Sequence, residues 1–105
     1  MPDPDRLLYA QICGICARHA GPGTLTAEQE AAAVAELTAE AAGRPDLLAK
    51  RAGTALGFGE RQHDADRWRL MAGLCVKAGA DESLIGRWVQ VGRDRAATAA
   101  LPPHG

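Results

Sequence analysis

Four aromatic side chains serve the whole 105-residue chain: Tyr9, Phe58, Trp68 and Trp88. Sheet cores draw on aromatic and β-branched residues in period-two alternation. No segment alternates that way, so no sheet is expected. Long apolar runs are missing as well. Nothing reaches the ~18–20 consecutive apolar residues that a helical membrane span needs. Cysteine is limited to Cys13, Cys16 and Cys75, an odd and small number that does not frame a stapled secreted domain. The opening MPDPDR is acidic and proline-rich, unlike a signal peptide, and a cytoplasmic address is expected. There is no GxxxxGK[ST], no GxGxxG after a strand, no HExxH, and no nucleophile paired with a base. An enzyme is therefore not expected, and no cofactor is implied.

Charge of one sign is also lacking. The net charge of −1 gives the molecule as a whole no electrostatic footprint for nucleic acid or anionic membrane. The two halves differ: residues 1–60 hold eight acids against five bases (net −3), and residues 61–105 hold seven bases against five acids (net +2). The second half is mildly basic.

What is present is alanine and helix punctuation. A hydrophobic fraction of 47% with 24% charged residues argues against wholesale disorder, and alanine favours helices that approach closely. Asp3 before Pro4 starts a first helix, to about His19, stopped by Gly21-Pro22-Gly23. Thr26 and Gln29 form a capping box for a second, to about Ala42, closed by Gly43. Pro45 opens a third that frays into Gly57-Phe58-Gly59. Asp64 is expected to cap a fourth, to about Ala78, with Gly79 at its C-terminus; Asp81 caps a fifth, reaching towards Ala100. The expectation is an all-α, compact bundle of about five short helices in a single domain, residues 1–101, with 102–105 a flexible tail. Its core is expected from Leu8, Ile12, Ile15, Val34, Leu37, Leu48, Leu56, Leu70, Leu74, Ile85, Trp88 and Val89.

Two constellations carry chemistry. Cys13, Cys16 and His19 stand three apart and share an arc of the first helix. Thiolate and imidazole suit zinc, and Cys75 or His63 are candidates for a fourth ligand. The same arc holds Leu8, Ile12 and Ile15, however, and no second ligand pair follows. The two cysteines are therefore expected as buried core thiols, with His19 favoured at the helix C-terminus by the dipole and a metal-binding module as the alternative. CGIC also has the spacing of a thioredoxin-type redox motif, but that motif works where a strand feeds a helix N-terminus. His63, Asp64 and Asp66 read as a polar loop with a cap, and Glu28, Glu30, Glu36 and Glu40 as a solvated face.

The second constellation is LCVKAGADESLIGRWVQVGRDRA, which has a helix-turn-helix-like outline: Cys75, then Gly79 at the turn, then Ile85 and Trp88 where the second helix packs. Ser83, Arg87, Gln90 and Arg93 would face a DNA duplex. Asp81 and Glu82 at the same helix end oppose phosphate. GADESLIGRWVQVGRDRAA, with LLAKRAGTALGFGE upstream, resembles small uncharacterised all-helical proteins of high-GC actinomycetes, some of which travel with mobile elements. That resemblance implies a cytoplasmic bacterial protein with a regulatory or interaction role, and it brings no activity and no site residue. A non-enzymatic helical module acting through a protein partner, or through self-association as a homo-oligomer, leads; a helix-turn-helix DNA-binding regulator using residues 64–96 is second.

Overall fold

The computed structural model describes residues 3–21 and 23–99, and it contains five helices and, among those residues, no strand: α1 (Pro4–His19), α2 (Ala27–Glu40), α3 (Pro45–Gly59), α4 (Ala65–Lys77) and α5 (Glu82–Ala99). The chain is an all-α bundle. The tail expected at 102–105 lies outside the described residues.

Local chemistry sets most of the boundaries. The Asp3 carboxylate accepts the Asp5 N–H at 3.0 Å. Thr26 and Gln29 close both halves of their capping box at 3.1 and 2.9 Å. Asp81 accepts from both the backbone N–H and the hydroxyl of Ser83. Gly43 and Gly79 turn the chain out of α2 and α4 with φ of 75° and 106°, values that only glycine adopts without strain. Asp64 departs from expectation. It stands at the cap position of α4 without a capping hydrogen bond, because its carboxylate accepts instead from the Trp68 indole at 3.0 Å.

Helix α3 is the axis of the molecule. Its sequence is apolar on most sides apart from Asp46, Lys50, Arg51 and Thr54, and a helix apolar nearly all round belongs inside. Leu47, Leu48, Ala49, Ala52, Gly53, Thr54, Ala55, Gly57 and Gly59 are buried. Helix α5 lies beside it and packs almost wholly on it. The two run parallel, since Gly53 meets Trp88 and Gly57 meets Arg93 further along, and the Asp81 N–H donates to the Pro45 carbonyl at the common start. Helix α4 returns between them in sequence and packs on α3, with Trp68 over Gly59 and its ring 5.0 Å from that of Phe58. The α1–α2 hairpin then covers the remaining side of α3 and α4.

The α3–α5 contact is made by backbones. A Cβ built on Gly53 would stand 2.6 Å from the Trp88 Cβ, one on Gly57 2.8 Å from the Arg93 N, and one on Gly92 2.8 Å from the Phe58 N, with carbonyls closer still. Real Cβ atoms do not approach so near. The glycine cluster that the sequence suggested as a fraying helix end is therefore a packing device.

The core differs from the expected one in kind. Ile12, Ile15, Leu37, Leu48 and Leu74 are buried as expected, whereas Leu8, Val34, Leu56, Leu70, Ile85, Trp88 and Val89 are only partly so. Alanines take much of the interior, among them Ala33, Ala41, Ala52, Ala55 and Ala72. With small side chains inside, large ones are pushed to the margins. Trp88 is half-buried, its Cβ on Gly53 and its ring 5.1 Å from the Lys50 ammonium, which also lies 4.2 Å from the Tyr9 ring.

Two alanine substitutions should have opposite signs. Gly57→Ala forces α3 and α5 apart and should cost at least about 3 kcal/mol in urea unfolding. Gly14→Ala, where nothing lies within 4 Å of the new Cβ, should stabilise by up to about 1 kcal/mol through helix propensity.

Candidate functional site

A broad concavity runs along α4. A groove of about 1080 Å³ is bounded by the turn after α1, the start of α2 and one face of α4. Leu25, Leu70 and Leu74 form an apolar floor, and Gly73 leaves the backbone bare between them. Nothing lies within 4 Å of where a Gly73 side chain would begin. The rim carries both signs: Lys77 pairs with Glu30 across one end, Arg69 with Asp66 at 2.6 Å, and Arg67 stands 3.8 Å from Asp64. Arg67 also donates to the Ala20 and Ala17 carbonyls at 2.5 and 3.3 Å, satisfying the open end of α1 and fixing it to α4. His63, Asp64 and Asp66, read as a polar loop, stand on this rim.

The cysteine run is split three ways. Cys16 is fully buried, and its sulfur lies 3.6 Å from that of Cys75, also fully buried. Cys13 is half-buried, and the Arg51 guanidinium donates to its sulfur at 3.1 Å. His19 turns away to Glu36, with Nε2 to Oε2 at 2.5 Å, and Arg18 pairs with the same carboxylate. Cys13, Cys16 and His19 share a helix arc without converging. Among the described residues no three of His, Cys, Asp or Glu are placed to hold a metal ion. Of the two expected core thiols, Cys16 is one and Cys13 is not.

Two thiols in contact share one hydrogen bond. That bond, together with burial, pushes the Cys75 thiol up, and the same bond holds Cys16 below its ordinary value. Arg51 is the odd charge. Among the described residues, no carboxylate lies within salt-bridge distance of it, in contrast to Arg18, Arg44, Arg67, Arg69 and Arg93. Among the described residues its Nε is buried without a hydrogen-bond partner, as are the Tyr9 hydroxyl and the Thr54 hydroxyl. Burial pushes the Tyr9 phenol up to about 12, so it stays neutral and gives Arg51 no counter-charge.

The face proposed for DNA is largely engaged within the chain. Arg93 makes a forked contact with Glu60 at 2.9–3.1 Å, the Gln90 amide donates to Asp94 at 3.0 Å, and the Ser83 hydroxyl donates to Asp81 at 2.6 Å. Arg87 alone of the four is exposed without a hydrogen-bond partner among the described residues. The second helix of the outline packs through Ile85 and Trp88 on α3, where the outline placed them against α4.

Sequence reasoning missed Arg51, Gly73 and the Cys16–Cys75 pairing. The signal for Arg51 was there: a charge in an otherwise apolar stretch. No family model matches the chain, and comparison with curated proteins and with solved structures finds no match.

The helix-two carboxylates are more than a solvated face, because Glu30 and Glu36 both tie α2 to other helices. The Glu36 carboxyl is held below the usual carboxylate range, first by the His19 hydrogen bond and further by Arg18. A depressed folded-state value means that its stabilisation is complete above the ordinary value of 4.5 and is lost as pH falls through the lowered one. Glu36→Gln should therefore melt below the parent at neutral pH. The two melting temperatures should converge in acid, as the pH falls through the lowered value and the parent's carboxyl is itself protonated.

Proposed function

We propose that the chain is a non-enzymatic helical interaction module that receives an amphipathic helix of a protein partner in the groove along α4. The observation that carries this reading is Gly73. A glycine inside a helix costs about 1 kcal/mol relative to alanine, and among the described residues no atom lies in the space it leaves. A bare stretch of backbone beside Leu70 lets a second helix axis come close and seat apolar side chains on Leu25 and Leu70, both only partly buried. The groove face from Asp66 to Lys77 is about three helical turns long, or roughly 17 Å at 1.5 Å per residue. That length fits a partner stripe at i, i+3 or i+4, and i+7. A rim of both signs suits a partner whose flanking charges are mixed. Three free thiols favour a reducing, cytoplasmic setting for this role.

The test is a displayed library of random amphipathic peptides of helical pattern, selected on the purified full chain alongside its sedimentation behaviour. Enriched peptides should share the spaced apolar stripe and lose about tenfold or more in affinity, ~1.4 kcal/mol, against Gly73→Leu. Gly73→Ala should at the same time raise the melting temperature of the isolated chain. A monomeric protein that enriches nothing sinks this reading, and so do binders indifferent to Gly73→Leu. Self-association abolished by Gly73→Leu would replace the foreign helix with a second copy of the chain.

A further inference from the structure

The three cysteines and Arg51 meet where the α1–α2 hairpin joins α3 and α4, apart from the groove and independent of what fills it. We propose that Cys13 is a peroxide-reactive thiol held by Arg51, and that its oxidation passes to the buried Cys16–Cys75 pair, closing a disulfide between α1 and α4.

Three observations converge on this assignment. A part-buried guanidinium without a carboxylate is costly unless negative charge reaches it, and the group it touches is the Cys13 sulfur, at 3.1 Å. A sulfur attacking a peroxide carries negative charge, as does the sulfenate it becomes, and the guanidinium N–H is aimed at that atom. Cys13 is also the most accessible of the three thiols, half-buried where the other two are sealed at 0% exposure. That access admits a small oxidant and bars a bulky disulfide such as glutathione's from the inner pair. Lastly, Cys16 follows Cys13 by three residues, a neighbouring position on the same helix surface, and its sulfur is already 3.6 Å from that of Cys75.

The chemistry balances with one hydrogen peroxide per chain. The Cys13 sulfur attacks one peroxide oxygen, the O–O bond breaks, and the departing hydroxide takes the thiol proton and leaves as water, giving a sulfenic acid. Cys16 then attacks the Cys13 sulfur and displaces the hydroxyl, which leaves as a second water with the Cys16 proton. Cys75 attacks Cys16 and releases Cys13, to which its proton returns. Two thiols are oxidised to one disulfide, and one peroxide is reduced to two waters. The direction of the final exchange follows from placement. The Cys16–Cys75 bond joins two sulfurs already in contact, whereas a bond within one helical turn strains the helix. Side-chain rotation has only to bring these sulfurs from 3.6 Å to the bonding distance of about 2 Å. The product adds a covalent tie across the seam where Ile12, Ile15 and Leu37 of the hairpin share one buried apolar cluster with Leu48 and Leu74 of the three-helix unit.

The experiment uses the full chain, reduced and freed of reductant, treated with equimolar hydrogen peroxide and analysed by mass spectrometry. The expected product has lost two hydrogens. Fragmentation between positions 13 and 16 places the bond on Cys16 and Cys75, and dithiothreitol reverses it. Dimedone added with the peroxide should label Cys13. Cys13→Ser should oxidise about tenfold or more slowly, as expected when the attacking thiol is removed, and Arg51→Met should slow the reaction similarly while leaving Cys13 in place. Any of three results overturns the proposal: Cys13 over-oxidised while Cys16 and Cys75 remain thiols, dimedone on either inner cysteine, or Cys13→Ser oxidising at the parent rate. The first two readings use the unmodified chain and stand whatever the variants do to folding.

Discussion

The close approach of α3 and α5 is the constraint on which the rest of the molecule depends. Gly53, Gly57 and Gly92 bring two helix backbones into contact, at a separation that places α-carbon hydrogens against carbonyl oxygens and gains many weak contacts at once. With α5 so close on one side, the remaining surface of α3 is left to α4 and α1, and nine of its fifteen residues are buried. The polar groups that α3 carries inward, Arg51 and Thr54, follow from that central position. So does the exposure of half of α5: a helix attached along one narrow backbone seam leaves Leu84, Trp88 and Val91 only partly covered.

Helix positions were readable from the sequence because the chemistry that sets them is local. Asp3, the Thr26–Gln29 box, Asp81, Gly43 and Gly79 act within a few residues of themselves, and each sits where its type predicts. Asp64 shows the limit of that reasoning. Its carboxylate had two local claimants, a helix N-terminus and the Trp68 indole one turn on, and residue type does not decide between them. Periodicity likewise shows which face of α5 is apolar without naming the helix that face meets. The glycines of α3 were visible, but glycine in sequence is ambiguous between a loosened helix end and a close contact; only the position of α5 separates the two.

The candidate sites were harder to read for a related reason. Cys13, Cys16 and His19 share a helix arc, as their spacing requires, yet each is claimed by a different element: Arg51 of α3, Cys75 of α4 and Glu36 of α2. Partners 17 to 59 residues away leave no trace in local spacing. The groove on α4 was equally hidden, since Gly73 acquires meaning only once the space beside it is known to be empty. Charge placement completes the contrast. Arg18, Arg44, Arg67, Arg69 and Arg93 each have a carboxylate in reach, as mobile side chains in water readily arrange. Arg51, fixed inside, has a sulfur.

The parallel pairing of α3 with α5 also sets an order in time. Gly53, Gly57 and Gly59 make α3 a poor helix in isolation, and its burial requires a neighbour that begins more than twenty residues after it ends. A chain emerging from the ribosome therefore holds the central helix without its closest support until α5 has been made, while the α1–α2 hairpin, whose contacts are nearer in sequence, is free to form. Loop closure between α3 and α5 has to precede the gain from their contact. Folding of the three-helix unit is thus concerted and late. In that interval the apolar stretch from Leu47 to Phe58 is open to chaperones and to aggregation.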